Sequence, residues 1–295
     1  MRRGIALLVL ALAAAGCAGG SVGATIPAKV PPSVPVPTFT HVVVVVFENK
    51  EATSIAGNPD APTFNALAHR YAVLTNYDAV SHPSLPNYLA LVSGSTHGIS
   101  SDCTDCVIDA RNLADTLAAA GKTWKTYAED LPHPGYTGAF SGRYAKKHDP
   151  FLYFRDVADS RARRNRVVPF TQLSSDLRRH RLPDLSLVVP NLCDDMHDCS
   201  VATGDAWLKT HVVPLLHSPA LRGGVVFVVF DEGTSSTGGG GHVYALALGP
   251  TVRGGSRFTR ATNHYGLLRT IEDAWKLPRL GFSRTGTPIG GIWKK

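Results

Sequence analysis

The sequence predicts an α/β fold with a mostly parallel central sheet and helices on both faces of that sheet. Short runs of β-branched and aromatic residues alternate along the chain with segments of helical pattern, which is the order that a parallel sheet requires. The runs are apolar at nearly every position, as in strands that are covered on both faces. The chain has 295 residues, of which 44% are hydrophobic. This length allows one large domain or two small ones, and the apolar content is enough for a sizeable core. The folded part is predicted to be one domain over residues 41–295.

Five segments are predicted to be strands. The first, residues 42–47 (VVVVVF), is an unbroken run of β-branched and aromatic residues. The others are residues 122–130, which are less hydrophobic, and the apolar segments 185–190, 223–232 and 243–250.

Six segments are predicted to be helices. One covers residues 85–93, with Ser84 as its N-cap, Pro86 in its first turn and Gly94 as its terminator. The others are residues 61–72, 112–121, 170–180, 202–218 and 263–275.

The N-terminal 40 residues are expected to lie outside the folded domain. Residues 1–17 have the pattern of an export signal, since Arg2 and Arg3 precede an apolar stretch too short to span a bilayer. Small residues then lead to Cys17 in a sequence similar to the bacterial lipoprotein cleavage box. A lipid on Cys17 would anchor the protein to the cell membrane, and plain secretion is the alternative. Residues 18–40, rich in Gly and then in Pro, are predicted to form an extended tether.

Four further cysteines form two local pairs, Cys103 with Cys106 and Cys193 with Cys199. In an exported protein we expect two short-loop disulfides. A zinc site made of all four cysteines is the alternative. The net charge of +7 is compatible with anionic substrates.

Acidic and amide side chains lie at the ends of two of the predicted strands. Glu48 and Asn49 come directly after residues 42–47, and Asp231 and Glu232 are the last two residues of the predicted strand 223–232. The carboxyl ends of parallel strands lie at the same edge of a sheet, where such folds place active sites. Oxygen ligands of this kind favour Ca²⁺, Mg²⁺ or Mn²⁺ over zinc.

Ser84 allows two interpretations. It is a good helix N-cap, which would be a purely structural role. Alternatively, it attacks a phosphate group that the helix N-terminus binds. This second role requires activation of the hydroxyl, and a metal ion could lower its pKa.

Six motifs occur in an order that resembles a known family: HVVVVVFENK, HPSLPNYLALVSG, KHDPF, PNLCDDMHD, VVFDEG and HYGLLRTIEDAW. The family is the bacterial phosphoesterases, which include secreted acid phosphatases and non-specific phospholipases C and belong to the alkaline phosphatase-like superfamily. The resemblance covers residues 39–282 and is closer to the acid phosphatases. It implies a single alkaline phosphatase-like domain and an exported, metal-dependent acid phosphatase that hydrolyses phosphate monoesters, with phosphoinositides among the substrates of similar enzymes.

The resemblance also implies roles for individual residues. Ser84 would be the nucleophile that forms a phosphoserine, and Asn87 would contact a phosphate oxygen. Glu48, Asn49, Asp231 and Glu232, with Ser84, would hold one divalent cation.

Three further residues would complete the site. His148 and His197 would line the phosphate pocket, where either could protonate the leaving alcohol, and Asp195 would orient a histidine. His82 and His97, which flank the serine segment, are expected to matter less.

The cation is expected to be Ca²⁺, Mg²⁺ or Mn²⁺, with zinc left open. If the site instead held two zinc ions, His242 and His264 would be natural ligands of the second. Charged histidines in the site would favour a mildly acidic optimum.

The expected partners are a phosphomonoester substrate and, through the lipid on Cys17, a membrane, but no nucleic acid. Two alternatives to a monoesterase remain. One is a phosphodiesterase of the phospholipase C type, and the other is an exported anion-binding lipoprotein with a degenerate site.

Overall fold

A central eight-stranded sheet organises the computed structural model, which describes Met1 and residues 35–295. The strands of this sheet and of two small ribbons are β1 (Val42–Phe47), β2 (Ala72–Leu74), β3 (Tyr77–Asp78), β4 (Trp124–Ala128), β5 (Phe140–Ser141), β6 (Tyr144–Ala145), β7 (Val167–Pro169), β8 (Leu185–Val189), β9 (Val225–Phe230), β10 (Ala245–Leu248), β11 (Ser256–Phe258) and β12 (Thr262–Asn263).

The main sheet has the strand order β11-β2-β10-β9-β1-β8-β4-β7. Neighbouring strands are parallel except at β10, which runs antiparallel to both β9 and β2. All five predicted strands are present, and the mostly parallel sheet is confirmed.

Helices cover both faces of the sheet. They are α1 (Ala52–Ile55), α2 (Pro62–Arg70), α3 (Ser84–Ser93), α4 (Leu113–Ala119), α5 (Arg155–Ala158), α6 (Arg161–Arg164), α7 (Thr171–Arg178), α8 (Val201–Leu216) and α9 (His264–Trp275). In β1, Val44 lies among side chains of α3, α4 and α9, whereas its neighbour Val45 lies among side chains of α7 and α8. Successive residues of a strand point to opposite faces, so β1 is buried on both.

The start of α3 differs from the prediction by one residue. Pro83, not Ser84, occupies the N-cap position, and Ser84 is the first helical residue. Its hydroxyl therefore makes no capping bond to the helix and is free for other partners. The predicted end is correct, because Gly94 has a φ of 72° and ends the helix in a left-handed conformation.

Both predicted disulfides form, between Cys103 and Cys106 and between Cys193 and Cys199. The alternative of a four-cysteine zinc site is therefore wrong. The predicted signal, Cys17 and most of the tether lie outside the described residues. Within residues 35–295, none of the helices is long and apolar enough to cross a membrane.

The position of β1 between β8 and β9 determines which loops meet. The N–H of Asp231 donates to the carbonyl of Phe47 at 2.9 Å, and the N–H of Glu48 donates to the carbonyl of Asp195 at 2.9 Å. The segments that follow β9 and β8 are thus tied to either side of the end of β1. Three acidic residues from distant parts of the sequence lie together at the carboxyl edge of the sheet.

Candidate active site

Glu48 is the centre of the site and is fully buried. Helix α3 contributes two hydroxyl groups to it. The Oγ of Ser84 donates to Oε2 of Glu48 at 3.0 Å, and the hydroxyl of Tyr88 donates to Oε1. Residues four apart lie on the same face of a helix, which explains why Ser84 and Tyr88 reach the same carboxylate.

The hydroxyl of Ser84 also lies 3.3 Å from Oε1 of Glu232. The other oxygen of Glu232 is 2.5 Å from Nδ1 of His82, whose Nε2 lies 2.9 Å from the carbonyl oxygen of Ser235. Burial opposes a charge on His82, but the Ser235 carbonyl and the Glu232 carboxylate outweigh it and raise the pKa of His82. Ser84 is therefore held between two carboxylates, one of which is fixed by a histidine.

His148 lies on the other side of Glu48 and is almost fully buried. Its ring stacks on that of Tyr88, with 5.1 Å between the ring centroids. Nε2 of His148 is 3.3 Å from Glu48, and Nδ1 is 3.4 Å from Asp195. Ligand atoms of Glu48, His148 and Asp195 lie within 4.8 Å of one another, so these three residues could hold a metal ion.

Several polar atoms of this cluster are buried without a hydrogen-bond partner in the described part of the chain. These atoms are Asn49 Oδ1, His148 Nε2, Asp195 Oδ2 and Asp231 Oδ2. Unpaired buried polar atoms are costly and uncommon. A cation among them would supply the missing partner, so the donor set fits a metal ion.

The charges of the cluster support the same interpretation. Burial, together with the nearby charge of Asp195, raises the pKa of Glu48 to about 8. Burial likewise raises the pKa of Asp195 to about 8 and that of Asp231 well above its usual range. Carboxylates this close cannot all ionise unless a positive charge offsets their repulsion. A cation bound among these carboxylates would therefore stabilise their ionised forms.

Asn87, which was predicted to contact a phosphate oxygen, has its side-chain amide engaged by the loop that precedes Ser84. Its Oδ1 accepts hydrogen bonds from the N–H groups of Val80 and Ser81, at 3.0 and 3.1 Å. Its Nδ2 donates to the carbonyls of Ser81 and Pro83, at 2.8 and 3.2 Å. The side chain is thus fully used in fixing the loop that leads into Ser84.

Two charged residues that the sequence analysis missed lie close to the start of α3. Nζ of Lys147 is 3.0 Å from Oδ2 of Asp102 and 3.3 Å from Nε2 of His197. Oδ1 of Asp102 accepts a hydrogen bond from the N–H of Leu85 at 2.9 Å. Lys147 precedes His148 in the KHDPF motif, but nothing in the sequence pairs it with Asp102.

The two predicted pocket histidines differ in environment. His148 is buried, and desolvation lowers its pKa well below the usual range. The ring of His197 lies 6.1 Å from that of His148, between centroids, and is partly exposed. Its Nδ1 is 2.6 Å from Oδ1 of Asp198. His82, which the sequence analysis set aside, directly contacts the cluster.

His242 and His264 are engaged in separate contacts. Nδ1 of His264 is 3.0 Å from the hydroxyl of Tyr77, and Nε2 is 2.6 Å from the carbonyl oxygen of Asp231. His242 pairs with Asp78 at 2.9 Å. With both ring nitrogens bonded, His264 supports the backbone of Asp231 and has no nitrogen left for a metal ion.

The chain matches the Phosphoesterase family over residues 57–278. It is 36% identical over 261 residues to a phosphatidylinositol-3-phosphatase of Mycobacterium tuberculosis, with 88% of this chain and 84% of the relative covered. An acid phosphatase of Aspergillus fumigatus is 31% identical over 228 residues, with 73% and 51% covered. The chain thus spans about half the length of this fungal relative.

Solved structures show the same fold at much lower identity. A protein in the alkaline phosphatase superfamily from Vibrio parahaemolyticus has a TM-score of 0.57 at 13% identity, covering 83% of this chain and 69% of that one. The lipoteichoic acid synthase LtaP from Listeria monocytogenes has a TM-score of 0.56 at 12% identity, covering 86% and 80%. At these identities the likeness concerns the fold alone, and the predicted alkaline phosphatase-like fold is confirmed.

Proposed function

The chain belongs to the phosphoesterase family, and we propose that it is a metal-dependent phosphoric monoester hydrolase that works through a phosphoserine on Ser84. One observation carries the proposal: the hydroxyl of Ser84 lies at the start of a buried helix and points into a cluster of buried carboxylates. A serine used only as a helix cap would not have this arrangement. The names of the relatives support the substrate class, since they include acid phosphatases and a phosphatidylinositol-3-phosphatase.

The cation would be held by oxygen ligands at the carboxyl edge of the sheet. The residues that would hold it are Glu48, Asn49, Ser84, Asp231 and Glu232, with His148 and Asp195 close enough to take part. This oxygen-rich set favours one hard divalent ion, Ca²⁺, Mg²⁺ or Mn²⁺. When bound, the ion would lower the pKa of the serine hydroxyl and offset negative charge on the phosphate.

The protein's own residues supply the remaining steps. The hydroxyl proton of Ser84 moves to Glu48 or Glu232, both of which are already within hydrogen-bond distance. Ser84 Oγ then bonds to phosphorus as the bond to the leaving oxygen breaks. His197 is better exposed than His148 for giving a proton to the departing alcohol, and the Asp198 carboxylate orients its ring. Water hydrolyses the phosphoserine in the second half of the reaction.

A substrate panel tests the proposed reaction. Purified protein with each divalent cation is assayed on p-nitrophenyl phosphate, phosphatidylinositol 3-phosphate and phosphatidylcholine. We expect hydrolysis of the two monoesters and none of phosphatidylcholine. Release of phosphocholine without monoesterase activity would instead establish the phospholipase C type of reaction.

The serine is tested by substitution. Ser84→Ala should abolish turnover and leave no phosphoserine detectable after acid quenching. Ser54→Ala is the control, because Ser54 is an exposed serine in α1. Full activity of Ser84→Ala, or of wild-type protein kept free of metal by a chelator, would refute the mechanism.

We also propose export, with a lipid on Cys17 as the membrane anchor. The two disulfides support an oxidising compartment. Cys17→Ser should release the protein from the membrane fraction of expressing bacteria. Unchanged partition of this variant would favour plain secretion or another anchor.

A further inference from the structure

The carboxylate of Asp102 bridges two positive groups directly beside Ser84. One oxygen accepts from the N–H of Leu85, which is the second residue of α3, at 2.9 Å. The other accepts from Nζ of Lys147 at 3.0 Å. An N–H in the first turn of a helix and a lysine ammonium are the groups that proteins use to bind phosphate oxygens. Asp102 therefore fills an anion-binding position next to the proposed nucleophile.

The ammonium group of Lys147 can bind an anion at this position. Its side chain is only 13% exposed, so its ammonium is held inside the site and not in bulk water. Its second neighbour is Nε2 of His197, at 3.3 Å. Lys147 therefore lies between the start of α3 and the histidine proposed to protonate the leaving group.

Asp102 can leave this position more easily than the buried acids can leave theirs. Its side chain is 29% exposed, whereas those of Glu48 and Asp195 are fully buried. It precedes Cys103 at the start of a disulfide loop, and Nζ of Lys146 holds that loop through the carbonyl of Thr104 at 2.9 Å. The loop can thus remain attached while the Asp102 side chain turns toward solvent.

We propose that Lys147 and the Leu85 N–H bind the phosphate group of the substrate, and that Asp102 is an internal anion that competes with it. This inference rests on the proposed function, since it concerns the same site. A phosphomonoester dianion carries more charge than a carboxylate, so it displaces Asp102 from Lys147. When product leaves, Asp102 returns and neutralises the lysine. The contact then weakens phosphate binding and favours product release.

The expected change in phosphate affinity depends on the fraction of molecules in which Asp102 is turned away and the anion-binding position is open. A position open in about a tenth of the molecules weakens the apparent affinity about tenfold. Asp102→Asn removes the competing charge and should lower the inhibition constant of inorganic phosphate by about this factor. Lys147→Met should raise this inhibition constant and the KM for p-nitrophenyl phosphate. In a double variant with Asp102→Asn, Lys147→Met should remove most of the gain in phosphate affinity that Asp102→Asn gives alone.

The test uses the metal-loaded protein and two independent measurements. Inhibition of p-nitrophenyl phosphate hydrolysis by inorganic phosphate gives the constant under turnover, and calorimetric titration with phosphate gives it without turnover. Asp105→Asn is the matched control, because it removes one acidic charge from the same loop at an exposed position. We expect this control to behave as the wild type does.

The outcomes separate this inference from the proposed function. If Asp102→Asn leaves phosphate affinity unchanged or weakens it, Asp102 serves to position Lys147, and the inference is overturned even though the enzyme hydrolyses monoesters. If none of the proteins hydrolyses monoesters but Asp102→Asn binds phosphate more tightly in the calorimeter, the inference stands and the proposed reaction does not. Should Asp102→Asn fold poorly, Asp102→Ser is assayed with the same expectation. If neither variant binds phosphate more tightly than the wild type does, the inference is overturned.

Discussion

The hydroxyl of Ser84 donates a hydrogen bond to Oε2 of Glu48 at 3.0 Å, across a separation of 36 residues. Ser84 begins a helix, and Glu48 follows the central strand of the sheet. The hydroxyl of the first residue of α3 is thereby placed against a buried carboxylate with a raised pKa.

Glu48→Gln removes one charge from the carboxylate cluster. Because burial disfavours the ionised form of Glu48, we expect the metal-free variant to have a higher melting temperature at pH 8 than metal-free wild type. The variant should also lose the stabilisation that a divalent cation gives to the wild type. Differential scanning calorimetry with and without cation measures both effects.

Glu51→Gln is the control for this prediction. Burial raises the pKa of Glu51, but several hydrogen bonds, among them those from the backbone N–H groups of Thr234 and Ser235, together outweigh it and lower the pKa. Its substitution should therefore destabilise the protein and leave the response to cations intact. Equal cation stabilisation of Glu48→Gln and wild type would contradict the assignment of Glu48.

The metal-free protein should lose stability as the pH rises from about 4.5 to about 8. Burial raises the pKa of Glu48 from 4.5 to about 8 and that of Asp195 from 3.8 to about 8. In this window the folded protein keeps protons that the unfolded chain releases, so rising pH favours unfolding. A bound cation should make the stability depend less on pH, because it stabilises the ionised carboxylates.

Urea unfolding at several pH values, with chelator and with cation, measures this dependence. A metal-free protein whose free energy of unfolding increases steadily between pH 5 and pH 8 would contradict the prediction.

Tyr88→Phe removes the hydroxyl that donates to Oε1 of Glu48. That hydrogen bond stabilises the ionised carboxylate, so its loss should weaken cation binding by about tenfold to a hundredfold. The ring stack on His148 would be retained. Titration of activity and of melting temperature with cation gives the affinity.

Tyr127→Phe is the matched control, because the hydroxyl of Tyr127 donates to Asp176, an acid outside the cluster. This variant should keep wild-type cation affinity. Similar affinities for Tyr88→Phe and wild type would show that the hydroxyl of Tyr88 does not support the cation site.

Asn87→Ala should act through the loop before Ser84 and not through phosphate binding. It removes four hydrogen bonds to the backbone of residues 80–83, which should lower the free energy of unfolding by about 2–3 kcal/mol. We expect a lower kcat, because Ser84 is less well positioned, and an inhibition constant for phosphate that changes less than about twofold.

Asn65→Ala separates loss of stability from loss of positioning. Asn65 also makes four hydrogen bonds to backbone groups, between residues 55 and 61, away from the cluster. It should destabilise the protein similarly and leave kcat of the folded enzyme unchanged. A large rise in the phosphate inhibition constant for Asn87→Ala would restore its role as a phosphate contact.

Much of the architecture could be predicted because local patterns specify it. The continuous apolar run of β1 predicts a strand buried on both faces, and the structure has α3 on one side of it and α8 on the other. Gly94 predicts the end of α3 because the left-handed conformation there favours glycine. The pairing of the cysteines also followed from sequence spacing and the expected compartment.

Several features of the site could not be predicted, because they depend on which groups become neighbours. Nothing near Asn87 in the sequence indicates that its amide is fully bonded to the preceding loop. The fourth residue after Ser84 lies on the same helical face, so Tyr88 could have been inferred from the helix alone. Asp102 and Lys147 could not, since 45 residues separate them.

The sequence by itself determined the alternation of strands and helices, the acidic residues that follow β1 and β9, and a serine at the start of α3. These are local properties, set by side-chain periodicity, capping preference and backbone conformation. Only the tertiary structure decided which charges share one buried space. The order of β8, β1 and β9 brings Asp195, Glu48 and Asp231 together, and their burial raises their pKa values. Interactions among buried charges depend on distance and exclusion of water, which the order of residues along a chain does not specify.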